Sequence, residues 1–477
     1  MSVRVCVIGA GVCGLAAAQV LSERGIPFDV YEKGSDIGGQ WRFGNDSGTS
    51  AVYDSIELNS SRDMSGFPKF PMPEDYPLFP GHPQMLDYLM RYTEYFGLRR
   101  YIRFRTSVAG VVKDGSGYVV TLGDGRMRRY SHVVVANGFH WDPKWPKPAY
   151  RGQGEFTGIQ LHSKDYKSAD GLRGRRVLVV GSGNTACDLA TELSAVADRV
   201  VSSARRGFWI TPKRLFGRPA DQVNRPLATI VPPLVQSLLL TGMLWLSQGR
   251  ISRYGLAAPG HLALRTHPAT CEGYLPAVKA GRIAVRPGIE RFDGGQRVRF
   301  TDGSVEEFDA IVWCTGFTFS FPFLPEELTP VMVGPMRLFR RIVMPDHEGL
   351  FFLGFAKTLS AITPVAEAQA EWIADLIEGR TRLPGRETML AEIAADERRV
   401  RRRYSATPRL TVEVDVYRYL RQLLRDRRRH LAAGPPLAVH RNRDTPGDTS
   451  SLTPSPGPGP VRRPGPAGSR LSTQESS

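Results

Sequence analysis

VRVCVIGAGVCGLAAAQVLSERG, residues 3–25, decides the fold. Val3, Val5, Val7 and Ile8 form a short β-branched run that suits a strand. A glycine turn follows, Gly9-Ala10-Gly11-Val12-Cys13-Gly14. Ala16, Ala17, Val20 and Leu21 then recur at helical spacing, and PFDVYEKG (27–34) reads as the next strand. In such a strand–turn–helix unit Gly9 permits the tight turn, Gly11 lets backbone approach a pyrophosphate, and Gly14 lets helix and strand pack closely. The helix N-terminus offers N–H donors and a positive dipole end. Glu32 ends the second strand, where an acid can hydrogen-bond a ribose hydroxyl. Order and spacing together predict a dinucleotide site.

The pattern recurs. LRGRRVLVVGSGNTACDLATELS (172–194) repeats strand, turn and helix, and DRVVSSARRG (198–207) repeats the second strand. The second turn carries Gly181, Gly183, Asn184 and, in place of the third glycine, Ala186, an allowed variant. No acid stands where the first unit has Glu32; Ser203, Arg205 and Arg206 stand there instead. Arginine accepts a 2′-phosphate that a carboxylate would repel. The first site is therefore expected to prefer a plain ribose, as in FAD or NAD, and the second NADPH. YSHVVVANG (130–138) and FDAIVWCTGF (308–317) read as two further buried strands. The fold class expected is α/β, with two Rossmann-like dinucleotide-binding domains.

Length and composition set the frame. A chain of 477 residues suggests two or three domains, and 41% hydrophobic residues suffice for buried cores. The formal charge of +16 raises nucleic acid and anionic membranes as partners. Much of the excess lies in ERRVRRRY (397–404) and RDRRRH (425–430), which read first as solvated helix faces. No nucleic-acid-binding motif accompanies them. The five cysteines show no CxxC spacing, so no zinc site or redox dithiol is indicated, and a reducing cytoplasm is expected. LVQSLLLTGMLWLS (234–247) is too short to span a membrane and reads first as a buried helix and second as a surface anchor, inside an expected insertion near 208–280. Past about 430 the chain turns rich in Pro, Gly and Ser and is expected to be disordered.

Between the two units lies FTGIQLHSKDY (156–166), with Phe156, Gly158, His162 and Tyr166. On residue chemistry alone the His and Tyr could be catalytic, or could form a joint between two nucleotide sites. IGGQWRFG (37–44) places Gly39, Gln40 and Trp41 just past the first unit.

These parts together resemble the flavin-containing monooxygenases over most of residues 1–428. FTGIQLHSKDY is similar to that family's fingerprint, Phe-x-Gly-x3-His-x3-Tyr/Phe. Related Baeyer–Villiger enzymes typically place Trp last, where this chain has Tyr166. YDSIELNSSRDMSGFPKFPMPEDYPLFP (53–80) resembles the segment around the family's active-site Asn, here Asn59. CTGF (314–317), LSAITPVAEAQAEW (359–372, containing Gln369) and VEVDVYRYLRQL (412–423) resemble further family segments. The resemblance implies an FAD domain split in sequence (1–165 and 321–430), an NADPH domain inserted at 166–320, and a tail at 431–477. It implies that Gly9, Gly11, Gly14, Glu32, Gly39, Gln40, Trp41 and Gln369 serve FAD. It implies a linker at Phe156–Tyr166, close to the nicotinamide nucleotide, with His162 a positioning residue. It also implies NADPH- and O2-dependent transfer of one oxygen, through a C4a-hydroperoxyflavin, to a soft nitrogen or sulfur of a small molecule, with Asn59 supporting the reaction. A Baeyer–Villiger monooxygenase, a pyridine nucleotide–disulfide reductase and a non-catalytic flavoprotein stay open beside it. Neither nucleic acid nor a membrane surface is an expected partner, and a homodimer stays open. The abundance of Arg, Gly and Pro points to a GC-rich bacterial source and to specialised metabolism.

Overall fold

The computed structural model describes residues 2–330, 336–404 and 413–431. The expected disordered tail lies outside the described residues beyond Leu431.

Val5–Ile8 forms a strand with all four residues buried. It lies at the centre of a five-stranded parallel sheet, flanked by Phe28–Tyr31 and His132–Val135, with Ile102–Arg103 and Leu350–Phe352 at the edges. A strand with neighbours on both sides and cover on both faces reads as an unbroken apolar run, as this one does. Helix Val12–Glu23 crosses from the first strand to the second. Its alanines at 16, 17 and 18 are buried, and the small side chains let it pack closely on helix Thr363–Ile377.

The second sheet repeats the plan. Arg176–Val180 is central, between Arg199–Ser203 and Ala310–Trp313, with Ile283–Arg286 and Ile159–His162 at the edges, all parallel. In both sheets the chain reverses direction of winding beside the central strand. That switch point, at the carboxyl ends of the strands, is where open α/β sheets bind ligands, and each glycine turn sits there. Each unit is also followed by a three-stranded antiparallel sheet, Val108–Asp114 to Met127–Tyr130 in the first and Ile289–Phe292 to Val305–Glu307 in the second.

Three sequence expectations need correction. The expected boundary at 165/166 assigns Ile159–His162 to the first domain, yet this strand pairs with Ala310–Trp313 in the second sheet. The run at 234–247 was expected as a buried helix. It forms helix Pro233–Gln248, but Leu234, Val235, Leu238, Leu239, Trp245 and Leu246 are exposed. Its inward face carries polar groups: Gln236 donates to Asn224 Oδ1 at 2.9 Å, and Thr241 Oγ1 accepts from the Ala263 N–H at 2.9 Å. Partnered polar groups can share the inside, here with Leu240 and Leu244, which leaves the other leucines outside. No described helix is long and apolar enough to cross a membrane. The basic run at 425–430 is not simply solvated either, because Arg427 pairs with Glu371 at 2.9 Å and Asp375 at 2.5 Å.

Candidate functional site: two glycine turns and the segment between them

The first turn is closed by contact. A Cβ on Gly14 would lie 1.8 Å from the Gly9 carbonyl oxygen, so only glycine fits there. The Gly39 loop folds back on the turn, and a Cβ on Gly39 would lie 2.9 Å from Gly11 Cα. Helix Val12–Glu23 starts after Gly11 with no side chain capping it and no acid in its first turn. Its first amides are therefore available to an anion. The Glu32 carboxylate is buried and accepts the Ala10 N–H at 2.8 Å and the Gly34 N–H at 2.7 Å. Both bonds are to backbone, which fixes the carboxylate beside the turn and leaves each oxygen further lone pairs. Gln40 Oε1 accepts the Ala51 N–H at 3.3 Å, and Trp41 packs half-buried against the first core. This is a cradle of backbone and one fixed acid, and it fits FAD.

Gln369 differs from expectation. It is fully buried, its Oε1 accepts the Gly354 N–H at 2.9 Å, and its Nε2 donates to Tyr419 Oη at 2.7 Å. Both ends of the amide are taken up inside the protein. Its work is to hold Gly354 in place, where a Cβ would meet Cys13 Sγ at 2.3 Å. Gln369 therefore supports the turn from behind instead of offering a group to a cofactor.

The second turn is more open. Gly183 has no atom within 4 Å of where a Cβ would stand, and helix Asn184–Leu193 begins after it without a side-chain cap. Ala186 is buried in the second core. Arg205 and Arg206 follow the strand Arg199–Ser203, are exposed, and enter no ion pair among the described residues. Free guanidinium groups beside an uncapped helix fit the phosphates of NADPH. Two expected ligands are otherwise engaged. Ser203 is buried and its hydroxyl donates to the Pro287 carbonyl at 2.6 Å. Asn184 Oδ1 accepts the Thr270 N–H at 2.9 Å, which ties the turn to the insertion.

The fingerprint residues form a packed joint. A Cβ on Gly158 would meet the Asp309 carbonyl oxygen at 2.6 Å and the Phe156 ring at 2.7 Å. Phe156 itself packs edge-on against Phe292. His162 is fully buried and its Nδ1 accepts the Lys164 N–H at 3.1 Å, which puts the proton of the neutral ring on Nε2. Burial lowers its pKa, against an opposing effect of the Gly316 backbone. Tyr166 lies in the second core, edge-on to Tyr53 at 6.1 Å. Neither ring is exposed to a ligand as an acid or base would be.

Asn59 is exposed and has no side-chain hydrogen bond among the described residues. Its segment lies between the two sheets' domains. Thr363 Oγ1 donates to the Ser65 carbonyl at 2.7 Å on one side, and Ser61 N–H donates to Asp221 at 2.7 Å on the other. Sequence reasoning missed Tyr53 and Asp188. Tyr53 Oη donates to Asp188 Oδ2 at 3.0 Å across the domains. Burial pushes the Asp188 carboxyl up to about 6, against hydrogen bonds from Cys271 and Tyr53 that lower it. Only the place of Asp188, one helical turn past the second glycine turn, could have drawn attention to it. A cavity of about 550 Å³ lies elsewhere, in the insertion, walled by Trp209, Leu244, Trp245 and Leu262 and by none of the glycine-turn residues.

Comparison with known proteins agrees with this geometry. The family described as flavin-binding monooxygenase-like matches residues 2–436. Flavin-containing monooxygenase 5 of Homo sapiens is 32% identical over 450 residues, covering 88% of this chain and 82% of that protein. Dimethylaniline monooxygenase [N-oxide-forming] 2 of Oryctolagus cuniculus is 34% identical over 418 residues, covering 82% and 76%. Among solved structures, S-allyl-L-cysteine S-oxygenase from Allium sativum has a TM-score of 0.68 at 23% identity, covering 90% of this chain and 89% of that one. Cradle, free arginines and family match converge: the chain belongs to the flavin-binding monooxygenase-like family and is a flavin monooxygenase whose cofactors are FAD and NADPH.

Proposed function

We propose that this enzyme transfers one oxygen atom to a soft nucleophilic nitrogen or sulfur of a small molecule. The observation that carries the reading is Asn59, an exposed amide with no partner among the described residues, on the segment between the two cofactor domains. When bound, reduced flavin activates O2 and supplies one oxygen to the substrate. The chain's residues bind, orient and exclude water. The first domain takes FAD, with Gly9, Gly11, Gly14, Gly39, Gln40 and Trp41 around it and Glu32 on the ribose. The second takes NADPH at Gly181 and Gly183, with Arg205 and Arg206 on the 2′-phosphate. Asn59 donates a hydrogen bond to the reacting centre. A neutral amine or sulfide needs no proton removed before it attacks, so no acid–base pair is required of the protein. His162 fits that reading, being buried, neutral and committed to the Lys164 backbone. Five free cysteines fit a reducing cytoplasm.

The test offers a tertiary amine, a sulfide and a ketone to the FAD-loaded enzyme with NADPH and O2. N-oxide or sulfoxide in proportion to NADPH consumed is expected. Ester from the ketone alone would replace this reading with Baeyer–Villiger oxygenation. Asn59→Ala should keep flavin reduction by NADPH and lose product to hydrogen peroxide; unchanged coupling would remove Asn59 from its role.

A further inference from the structure

Residues 50–61 belong to the first domain by position in the chain, yet their side chains reach into the second. Tyr53 Oη donates to Asp188 at 3.0 Å, and Ser55 Oγ donates to Glu192 at 2.6 Å. Asp188 and Glu192 are one helical turn apart, on the helix that starts at the second glycine turn. Lys213 donates to Glu57 Oε2 at 2.7 Å, and both the N–H and the hydroxyl of Ser61 donate to Asp221, at 2.7 and 3.0 Å. The backbone is held as well. Lys167 Nζ donates to the carbonyls of Ser50 at 3.2 Å and Val52 at 3.1 Å, and the Asp54 N–H donates to the Lys167 carbonyl at 2.9 Å.

Among the odd-numbered residues from 53 to 61, therefore, four are fastened to the second domain. The fifth is Asn59, which has no partner among the described residues. Asn59 is exposed, with the anchors Glu57 and Ser61 on either side of it in the chain. We infer that residues 50–61 form a strap by which the second dinucleotide domain sets the position of Asn59, with Tyr53, Ser55, Glu57 and Ser61 as positioning residues. The inference rests on the role given to Asn59 above. A dinucleotide seated on the second glycine turn orders the helix behind it, and two side chains of that helix hold the strap. Occupancy of the NADPH site is thus read out at Asn59.

Hydrogen–deuterium exchange tests this on the FAD-loaded full chain, with NADP⁺ as the probe. In the unaltered chain NADP⁺ should slow exchange over residues 50–64 at least threefold. In Tyr53→Phe and in Ser55→Ala the slowing should disappear, with the NADP⁺ dissociation constant changed less than threefold. Both variants should also release a larger share of NADPH electrons as hydrogen peroxide, at an unchanged rate of flavin reduction. Ser55→Ala removes only an exposed hydroxyl, so it folds even where Tyr53→Phe does not. Equal slowing in all three chains overturns the strap, and so does no slowing in the unaltered chain. Asn59→Ala, measured beside them, separates the two readings. If it uncouples and the strap variants do not, the strap fails and the Asn59 role stands. If it leaves coupling intact, the Asn59 role fails, and the strap fails with it as a device for setting that residue.

Discussion

The first glycine turn ends with Gly14 where the second has Ala186, and three further matched positions show how the surroundings of the two turns differ. Glu32 at the end of the first unit faces Ala204, then Arg205, at the end of the second. Ala16, buried against a helix of its own domain, matches Asp188, which reaches Tyr53 across the domains. Gly11 is covered by the Gly39 loop, whereas Gly183 is open. The first unit is thus finished within its own domain: its small residues close on each other, and Glu32 is held by backbone. The second unit leaves two exposed arginines, Arg205 and Arg206, without an ion pair among the described residues and turns the Asp188 carboxylate to the neighbouring domain. One supersecondary plan is closed by contact in the first case and left open at Gly183 in the second.

The comparison can be broken at each of these positions. The largest effect is expected at Gly14→Ala. A Cβ 1.8 Å from the Gly9 oxygen forces the backbone apart, at a cost above about 4 kcal/mol. Soluble protein carrying FAD should be lost, as read from flavin absorbance per protein; retained FAD would show that the turn opens easily. Next, Arg205→Ala should raise KM for NADPH about 30-fold, worth about 2 kcal/mol, as for a charge-assisted hydrogen bond. KM for NADH should stay within about twofold. Equal effects on both nucleotides would return Arg205 to the bare surface.

Asp188→Asn comes third. Its carboxyl, near 6 when folded, binds a proton more tightly than in the unfolded chain, where the value is about 3.9. Its contribution to stability is therefore complete below about pH 4 and is lost as pH rises through about 6. Asparagine, which does not ionise, should raise stability at pH 7.5 by roughly 1–2 kcal/mol, with no gain near pH 4. Denaturation midpoints at the two pH values measure this, and a gain independent of pH would exclude ionisation as the cause. Smallest is Ala186→Gly, which restores the third glycine. It should cost only about 0.5–1 kcal/mol of helix stability and leave NADPH binding intact. A larger loss would mean that the alanine methyl packs against something the first unit lacks.

The glycine turns and the arginines after the second unit were legible because each is a local pattern with a fixed period or spacing, whereas the split of the first domain was implied only by the family resemblance. What was not legible was pairing over long distance. The inward turn of Gln369 depends on Gly354 and Tyr419, and the engagement of Ser203 depends on Pro287. Nothing near 53 in the chain announces Asp188. The strand Ile159–His162 looked like the end of one domain because the sequence places it before the second glycine turn; its register with Ala310–Trp313 assigns it to the other sheet. The exposed face of Pro233–Gln248 is not legible from apolar content, because its hydrogen-bonding residues face in.

The first sheet's edge strand, Leu350–Phe352, pairs with His132–Val135 but follows the whole second sheet in the chain. On the ribosome every strand of the second sheet emerges before Leu350. The domain that begins the chain is therefore the last able to complete its sheet. Until then the edge of His132–Val135 stands open, and the newborn polypeptide must wait in that state through the synthesis of another domain, at about 5–20 residues per second.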